Sequence, residues 1–595
     1  MTTRKFIDYF QNELVYLKRK GRAFARQYPN VARRLGMTEE QTDDPHVERL
    51  IEAFAFLTAG IHQRLDEALP EMAEHLLSVL APQFLRAYPS ACIVQFLPDP
   101  DRCGLSGVNE VPAGTALYCR KVQHGETCRF TTLSSLALLP LRVTEAGMTL
   151  LSGTRQYQLS VSLLFWGKTL SGEKKIRFYL NGGAVLVDLV YTLLCTGLSS
   201  VSLVADNRTY ELSPSAVSPV AFTGEEALSG RAPECSLIQD YFCFREKFYF
   251  IDVCLPEDFF PVPGEHFQIN MLFRHGYLVS RLQNIAHQVQ ADFFCLNSIP
   301  VMNLYPAVSE PVSVSVERQE YPVIPDIRNN TCSEVWAVDG VTLLKECDGR
   351  LTKTRLPHLY REGQDLQQNA IYWQEIFRPY HDTGQRSKKC FIALSEVGPE
   401  GGLAPDDVIS VQMMCTDGDF PASLVMGRPE GDFEAELPFA GVCLRALNVP
   451  TRLVRPSLSA DVMWQMIANL SLNYMLLSRG DAVAVLRKSV LLYNFNGDQE
   501  IVHLASLIQA VSVRGVYERL IKNDPCSRAR GVEVVVTFNH GAKEAPGLFL
   551  FCRIIAGFLG NKVPVNSFAR VITRVEGFDE LSVEWPVQTG RLLWL

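Results

Sequence analysis

The residues best spaced to hold an ion are Asp99 to Glu110, DPDRCGLSGVNE, with acids at the first and third positions, Gly104 at the sixth and Glu110 at the twelfth. Calcium loops use that spacing, because carboxylates at alternating positions converge on one centre and glycine permits the sharp turn. Such a loop also needs a helix on each side. Here the β-prone runs IVQF and TALYC flank it, and Cys103 stands where an oxygen ligand belongs, so the segment reads as a polar connection between strands. His381-Asp382 is a pairing found in metal phosphohydrolases, but no further His or Asp cluster completes a site, and a structural histidine is the better reading. No GxxxxGK[ST], GxSxG or HExxH occurs, so nucleotide, serine-hydrolase and zinc-protease chemistry lack their first residue. Gly401-Gly402 reads as a loop. The expected catalytic, cofactor-binding and metal-ligating residues are none.

The 16 cysteines lie between Cys92 and Cys552 with no pair at CxxC spacing, and no two histidines fall within five residues of each other. Structural zinc draws paired ligands from short spacers, so these read as reduced, mostly buried thiols of a cytoplasmic protein. A net charge of −8 argues against general nucleic-acid binding, which rests on neutralising phosphates. With 595 residues, 47% hydrophobic and 21% charged, the chain has room for about three to four domains, each with its own core. The start, MTTRKFIDYFQNELVYLK, has no uninterrupted apolar run for export. The most apolar internal stretch, Ala184 to Cys195, contains Asp188 and is short of the roughly 20 residues that a membrane span needs.

The elements around these residues begin with a long helix. Phe6, Phe10, Leu14, Leu17, Gly21, Phe24 and Tyr28 recur at steps of three and four, close to a heptad. Met1 to Met37 carries nine Lys or Arg against two Asp or Glu, whereas Glu39 to Glu74 carries ten acids against Arg49 and Arg64. Two readings follow: an antiparallel helical pair whose charges attract, or an aromatic seam that meets a partner's helices. A nucleic-acid reading would use Arg19, Lys20, Arg22 and Arg26. From Asp44 to Phe96, Val47, Leu50, Ile51, Phe54, Leu57, Ile61, Leu65 and Leu69 outline one helical face, expected to be buried, with Phe54, Phe56, Leu57 and Ile61 serving the fold. Pro70 is expected to break this helix, with Met72, Leu76, Leu77 and Leu80 continuing in a second.

After Ser90 the pattern turns to strands. Leu159, Val161, Leu163 and Phe165 alternate with polar residues, as do Ile176, Phe178 and Leu180, and Phe267, Ile269, Met271 and Phe273. VLVDLVYTLLC reads as a helix after Asn181-Gly182-Gly183, and Ser213 to Cys235 as a long loop. Prolines mark connectors at Val301 to Asp326 and at NVPTRLVRPSLS. Helices are expected at Ala460 to Leu477, Asp481 to Tyr493, Gln499 to Val511 and Pro546 to Leu559, with a strand at Gly531 to Phe538. The fold class is α+β and multi-domain: a helical segment at 1–89, mainly antiparallel β domains at 90–328 and 329–450, and a C-terminal α+β domain at 451–595.

Four stretches resemble one family. They are DPHVERLIEAFAFLTAGIHQRLDEALPEMAEHLLSVLAPQFLRAYPSACIVQF, NLYPAVSEPVSVSVERQEYPVIPD, NLSLNYMLLSRGDAVAVLRKSVLLYNF and GLFLFCRIIAGFLGNKVPVNSF. They are similar to the TssF (VasA, ImpG) family, baseplate proteins of the bacterial type VI secretion system. The run FFCLNSIPV departs from that pattern. The resemblance implies a non-catalytic cytoplasmic wedge subunit, two copies wrapping one TssG and joined by TssK and TssE around the VgrG spike, and reaching a membrane only through other proteins. It also implies that Phe6, Phe10, Leu14, Leu17, Phe24 and Tyr28 meet TssG-like helices. The alternative is another cytoplasmic scaffold of a phage-like contractile machine.

Overall fold

A computed structural model of the chain describes residues 2–34, 45–103, 107–120, 128–151, 156–168, 175–205, 208–220, 233–282, 285–315, 318–325, 333–347, 350–359, 370–382, 385–397, 403–405, 407–437, 441–456, 459–470, 481–519, 528–563 and 567–590. It divides into two compact units, Met1–Leu85 with Ser457–Ser471, and Arg86–Pro456 with Leu472–Leu595.

The first unit is helical: α1 (Thr2–Gln27), α2 (Pro29–Arg34), α3 (Pro45–Leu80) and the helix Ala460–Leu470. Helices α1 and α3 run antiparallel, since Glu13 meets His62 and Lys18 meets Glu48, each pair at 3.0 Å. Lys18 and Glu48 remain 41% and 47% exposed, and such a pair contributes at most about 1 kcal/mol. Small side chains set the packing instead. Ala25, Ala55, Ala59 and Ala73 are buried, with Leu77 beside them, and alanines let helix backbones approach closely. Met463 and Met466 of the helix Ala460–Leu470 are buried as well.

Two expectations are corrected here. Helix α3 is continuous through Pro70, because one missing N–H in a long helix leaves the hydrogen bonds of neighbouring turns in place and need only bend it. The stripe expected to be core is open to solvent: Leu50 is 68% exposed, Phe54 59%, Phe56 57%, Leu57 64% and Ile61 57%. Periodicity identified a helical face, but the packed face is the neighbouring alanine stripe. The side chains of Leu65 and Leu69, and Asp44, lie outside the described residues.

The second unit is built around a closed six-stranded barrel. Its strands, in spatial order, are Ala91–Pro98, Ser298–Met302, Arg129–Thr132, Ala116–Cys119, Phe433–Ala435 and Val442–Ala446. The barrel thus takes strands from both sides of residue 328. Val94, Phe96, Leu117, Phe130, Val301 and Phe433 fill it. A five-stranded antiparallel sheet follows, in which Leu159, Val161, Leu163 and Phe165 point inward opposite Phe267, Ile269 and Met271, the alternation expected of half-buried strands. Further antiparallel sheets pair Tyr305–Val308, Val408–Thr416, Glu334–Cys347 and Arg350–Leu356, and the long strands Ala370–Asp382 and Gln385–Val397.

At the C-terminal end, Arg528–Phe538 pairs in parallel with Ser567–Val575. Parallel neighbours need a crossover, and the apolar helix Leu548–Gly560 supplies it. The helix expected over Gln499 to Val511 ends at Ser506, and Ile508–Arg519 is a strand. Pairing with Arg528–Phe538 outweighs a helical reading of IQAVSV, whose apolar residues also fit a strand. The helix expected over Ala460 to Leu477 is described to Leu470, with 471–480 outside the described residues. In the stretch expected as a loop from Ser213, Val217–Pro219 is a short strand and Pro233–Cys243 a helix, with 221–232 outside the described residues.

Candidate partner-binding face

Of the residues that suggested chemistry, Asp99 and Cys103 have structural partners, while Gly104, Gly401, Gly402 and the side chains of His381 and Asp382 lie outside the described residues. Asp99 Oδ1 accepts from the Asp101 backbone N–H at 3.1 Å, and Cys103 is buried in the barrel core. A strand precedes this turn, Ala91–Pro98, and short strands follow it. His381 and Asp382 close the strand Ala370–Asp382 opposite Arg386 and Gln385. Among the described residues, no three His, Cys, Asp or Glu are placed to hold a metal ion.

Two buried carboxylates, Asp188 and Asp240, are paired with cations, whereas Asp417 and Asp432 are held by neutral side chains and backbone N–H groups. Asp188, in the helix Ala184–Thr196, accepts from the Tyr249 hydroxyl at 2.5 Å and from Arg245 Nη2 at 3.3 Å, and Arg245 Nη1 reaches Glu500 at 3.1 Å. Burial pushes the Asp188 carboxyl above its usual range, while Arg245 and Tyr249 pull it back. Asp240 is raised by burial too, and Lys247 Nζ at 2.6 Å opposes that shift. A cavity of about 40 Å³ beside Asp188, lined by Leu189, Thr192, Leu548, Phe549 and Cys552, has room for a few waters. Paired ions and a small cavity hold elements together; they do not present a nucleophile beside a base.

The unsatisfied surface lies on the helical unit. Along α3, Leu50, Phe54, Leu57 and Ile61 are spaced four, three and four residues apart and all are exposed, as are Met72 (60%), Leu76 (42%) and Val79 (52%). Phe54 and Met72 share one azimuth, and Ile61 and Val79 another, because each pair is separated by about five turns of 3.6 residues. The apolar stripe therefore continues along the helix. Soluble monomers rarely expose contiguous apolar patches beyond a few hundred Å². Burying each such side chain would contribute about 1.5–3 kcal/mol.

On α1, the residues expected to meet a partner divide in two. Phe10, Leu14 and Leu17 are half-buried. Phe24 is 38% exposed and Tyr28 50% exposed, their ring centroids 5.4 Å apart. Phe6 lies within α1, and its side chain is outside the described residues. Arg19, Lys20, Arg22 and Arg26 are exposed. Sequence reasoning did not anticipate that the α3 stripe is exposed. Its signal was the near-heptad step itself, which suits a partner helix as well as a core.

The fold is multi-domain α+β, with a long exposed apolar stripe on one helix. The chain belongs to the TssF family of the type VI secretion system, whose description, "Type VI secretion system, TssF", matches residues 2–592. The type VI secretion system component TssF1 of Pseudomonas aeruginosa is 26% identical over 627 aligned positions, covering 98% of this chain and 99% of the relative. A chain of the TssK-TssF-TssG baseplate subcomplex, determined by cryo-electron microscopy, superposes with a TM-score of 0.69 at 22% identity, covering 91% of this chain and 99% of that one. A chain of the type VI secretion baseplate complex superposes with a TM-score of 0.57 at 23% identity, covering 99% and 100%. At these identities the structural likeness is one of fold.

Proposed function

We propose that the chain is a non-catalytic structural subunit of the type VI secretion baseplate, held in the wedge through the apolar face of α1 and α3. The observation that carries this is the exposed near-heptad stripe Leu50, Phe54, Leu57 and Ile61, which fits partner helices by knobs-into-holes packing. The family resemblance implies a part for Phe6, Phe10, Leu14, Leu17, Phe24 and Tyr28 of α1, of which Phe24 and Tyr28 are exposed. The matched baseplate subcomplex, in which TssK and TssG accompany TssF, supports these two as partners. TssE, the VgrG spike and two copies per wedge rest on the family resemblance. A cytoplasmic site rests on the family resemblance; no helix among the described residues is long and apolar enough to cross a membrane.

The test is co-expression of the full chain with TssG and TssK, purification and native mass measurement. The unaltered chain is expected in a stable complex. A Phe54→Asp/Leu57→Asp double variant is expected to keep the wild-type melting temperature and to lose TssG. A double variant that assembles normally would refute the assignment of this face.

A further inference from the structure

The barrel strands Ala116–Cys119 and Arg129–Thr132 are antiparallel, with Leu117 opposite Phe130 and Tyr118 opposite Arg129. The next pair in that register is Cys119 and Cys128. The Cys119 N–H donates to the Cys128 carbonyl at 3.1 Å, so the two occupy a hydrogen-bonded position, where opposed Cα atoms stand about 5.5 Å apart. A disulfide spans Cα separations of about 4.4–6.8 Å. We propose that Cys119 and Cys128 form a reversible cross-strand disulfide that braces the rim of the barrel.

The surroundings give the two sulfurs different parts. Cys119 is 9% exposed and Cys128 fully buried, so an oxidant meets Cys119 first. Burial holds the Cys128 thiol far above the ordinary range, so the second exchange, in which Cys128 attacks, is the slow one. With a low-molecular-weight disulfide such as oxidised glutathione, the Cys119 thiolate attacks one glutathione sulfur and expels one glutathione thiolate, which takes up the proton Cys119 lost. Cys128 then attacks the Cys119 sulfur, expelling the second glutathione, which takes the Cys128 proton. Two protein thiols are oxidised and one disulfide is reduced to two thiols. The bond would also bear on a packing joint, because Asn303 Nδ2 donates to Cys128 Sγ at 3.5 Å and to Asp417 Oδ2 at 2.7 Å.

The full chain, purified reduced, is incubated with oxidised glutathione and digested without reductant for peptide mass analysis. The expected product is a Cys119–Cys128 cross-linked peptide that dithiothreitol releases, with a raised melting temperature for the oxidised protein. Cys119→Ser and Cys128→Ser each abolish the cross-link while retaining the reduced protein's melting temperature to within a few degrees. Glutathione adducts without the cross-link, or a link from Cys119 to Cys92, whose strand is not its neighbour in the barrel, would overturn the proposal.

Discussion

Asn303 and Asp417 clasp each other: Asn303 Nδ2 donates to Asp417 Oδ2 at 2.7 Å, and the Asp417 N–H donates to Asn303 Oδ1 at 2.7 Å. The other Asp417 oxygen takes the Tyr305 hydroxyl at 2.6 Å. Asn303 follows the barrel strand Ser298–Met302, and Tyr305 begins the strand that pairs with Val408–Thr416. The stretch NLYPAVSEP therefore joins the barrel to the neighbouring sheet, and two of its polar residues, Asn303 and Tyr305, satisfy one buried carboxylate.

Asn303→Ala removes both bonds to Asp417, which is 5% exposed, together with those to the Arg129 carbonyl and from the Thr416 hydroxyl. Stranding a buried charged group costs about 2–4 kcal/mol. Denaturant unfolding is expected to show that loss, and a change below about 0.5 kcal/mol would mean the joint does not hold the barrel.

Phe54→Ala and Leu77→Ala should part company. Leu77 is fully buried and Phe54 is 59% exposed. Truncating Leu77 is expected to cost about 2–5 kcal/mol, whereas truncating Phe54 in the isolated protein should change stability by about 0.5 kcal/mol or less. Chemical denaturation of both variants decides it, and equal losses would return Phe54 to the core.

Gly547 starts the helix Leu548–Gly560 with φ +70°, and a Cβ there would overlap Arg245 Nη2. Gly547→Ala therefore combines left-handed strain, about 1–2 kcal/mol, with displacement of the guanidinium that pairs with Asp188. A drop in melting temperature larger than that of a Gly183→Ala control is expected, since Gly183 has open space around its Cβ position.

Asp188 carries a pH signature. Its folded carboxyl is raised above the ordinary 3.8, chiefly by burial, so the folded state binds more protons there than the unfolded one. The stability this provides is complete below about pH 4 and declines as pH rises through the folded value. Asp188→Asn, which never ionises, should flatten that decline. Melting curves from about pH 4 to 7 for both proteins test the sign, and parallel profiles would exclude Asp188 as a source.

Local patterns made the strands legible: the alternation from Leu159 to Phe165 reads the same in sequence and in space, and so does the helix around Asp188. Barrel closure was not legible, because Val94 pairs with Ala446 across a separation that no short-range period encodes. The run FFCLNSIPV gave no sign that Asn297 adopts φ 53° and hydrogen-bonds both backbone groups of Leu139, at 2.9 and 3.0 Å. The spacing on α1 was read as a candidate partner seam, whereas the same spacing on α3 was assigned to a core that the alanines occupy.

The most direct measurement is side-chain footprinting of the full chain alone and in its purified complex with TssG and TssK. The account predicts that Phe24, Phe54, Leu57 and Ile61 label readily in the free protein and are protected in the complex. A stable complex in which all four label as in the free protein would contradict it.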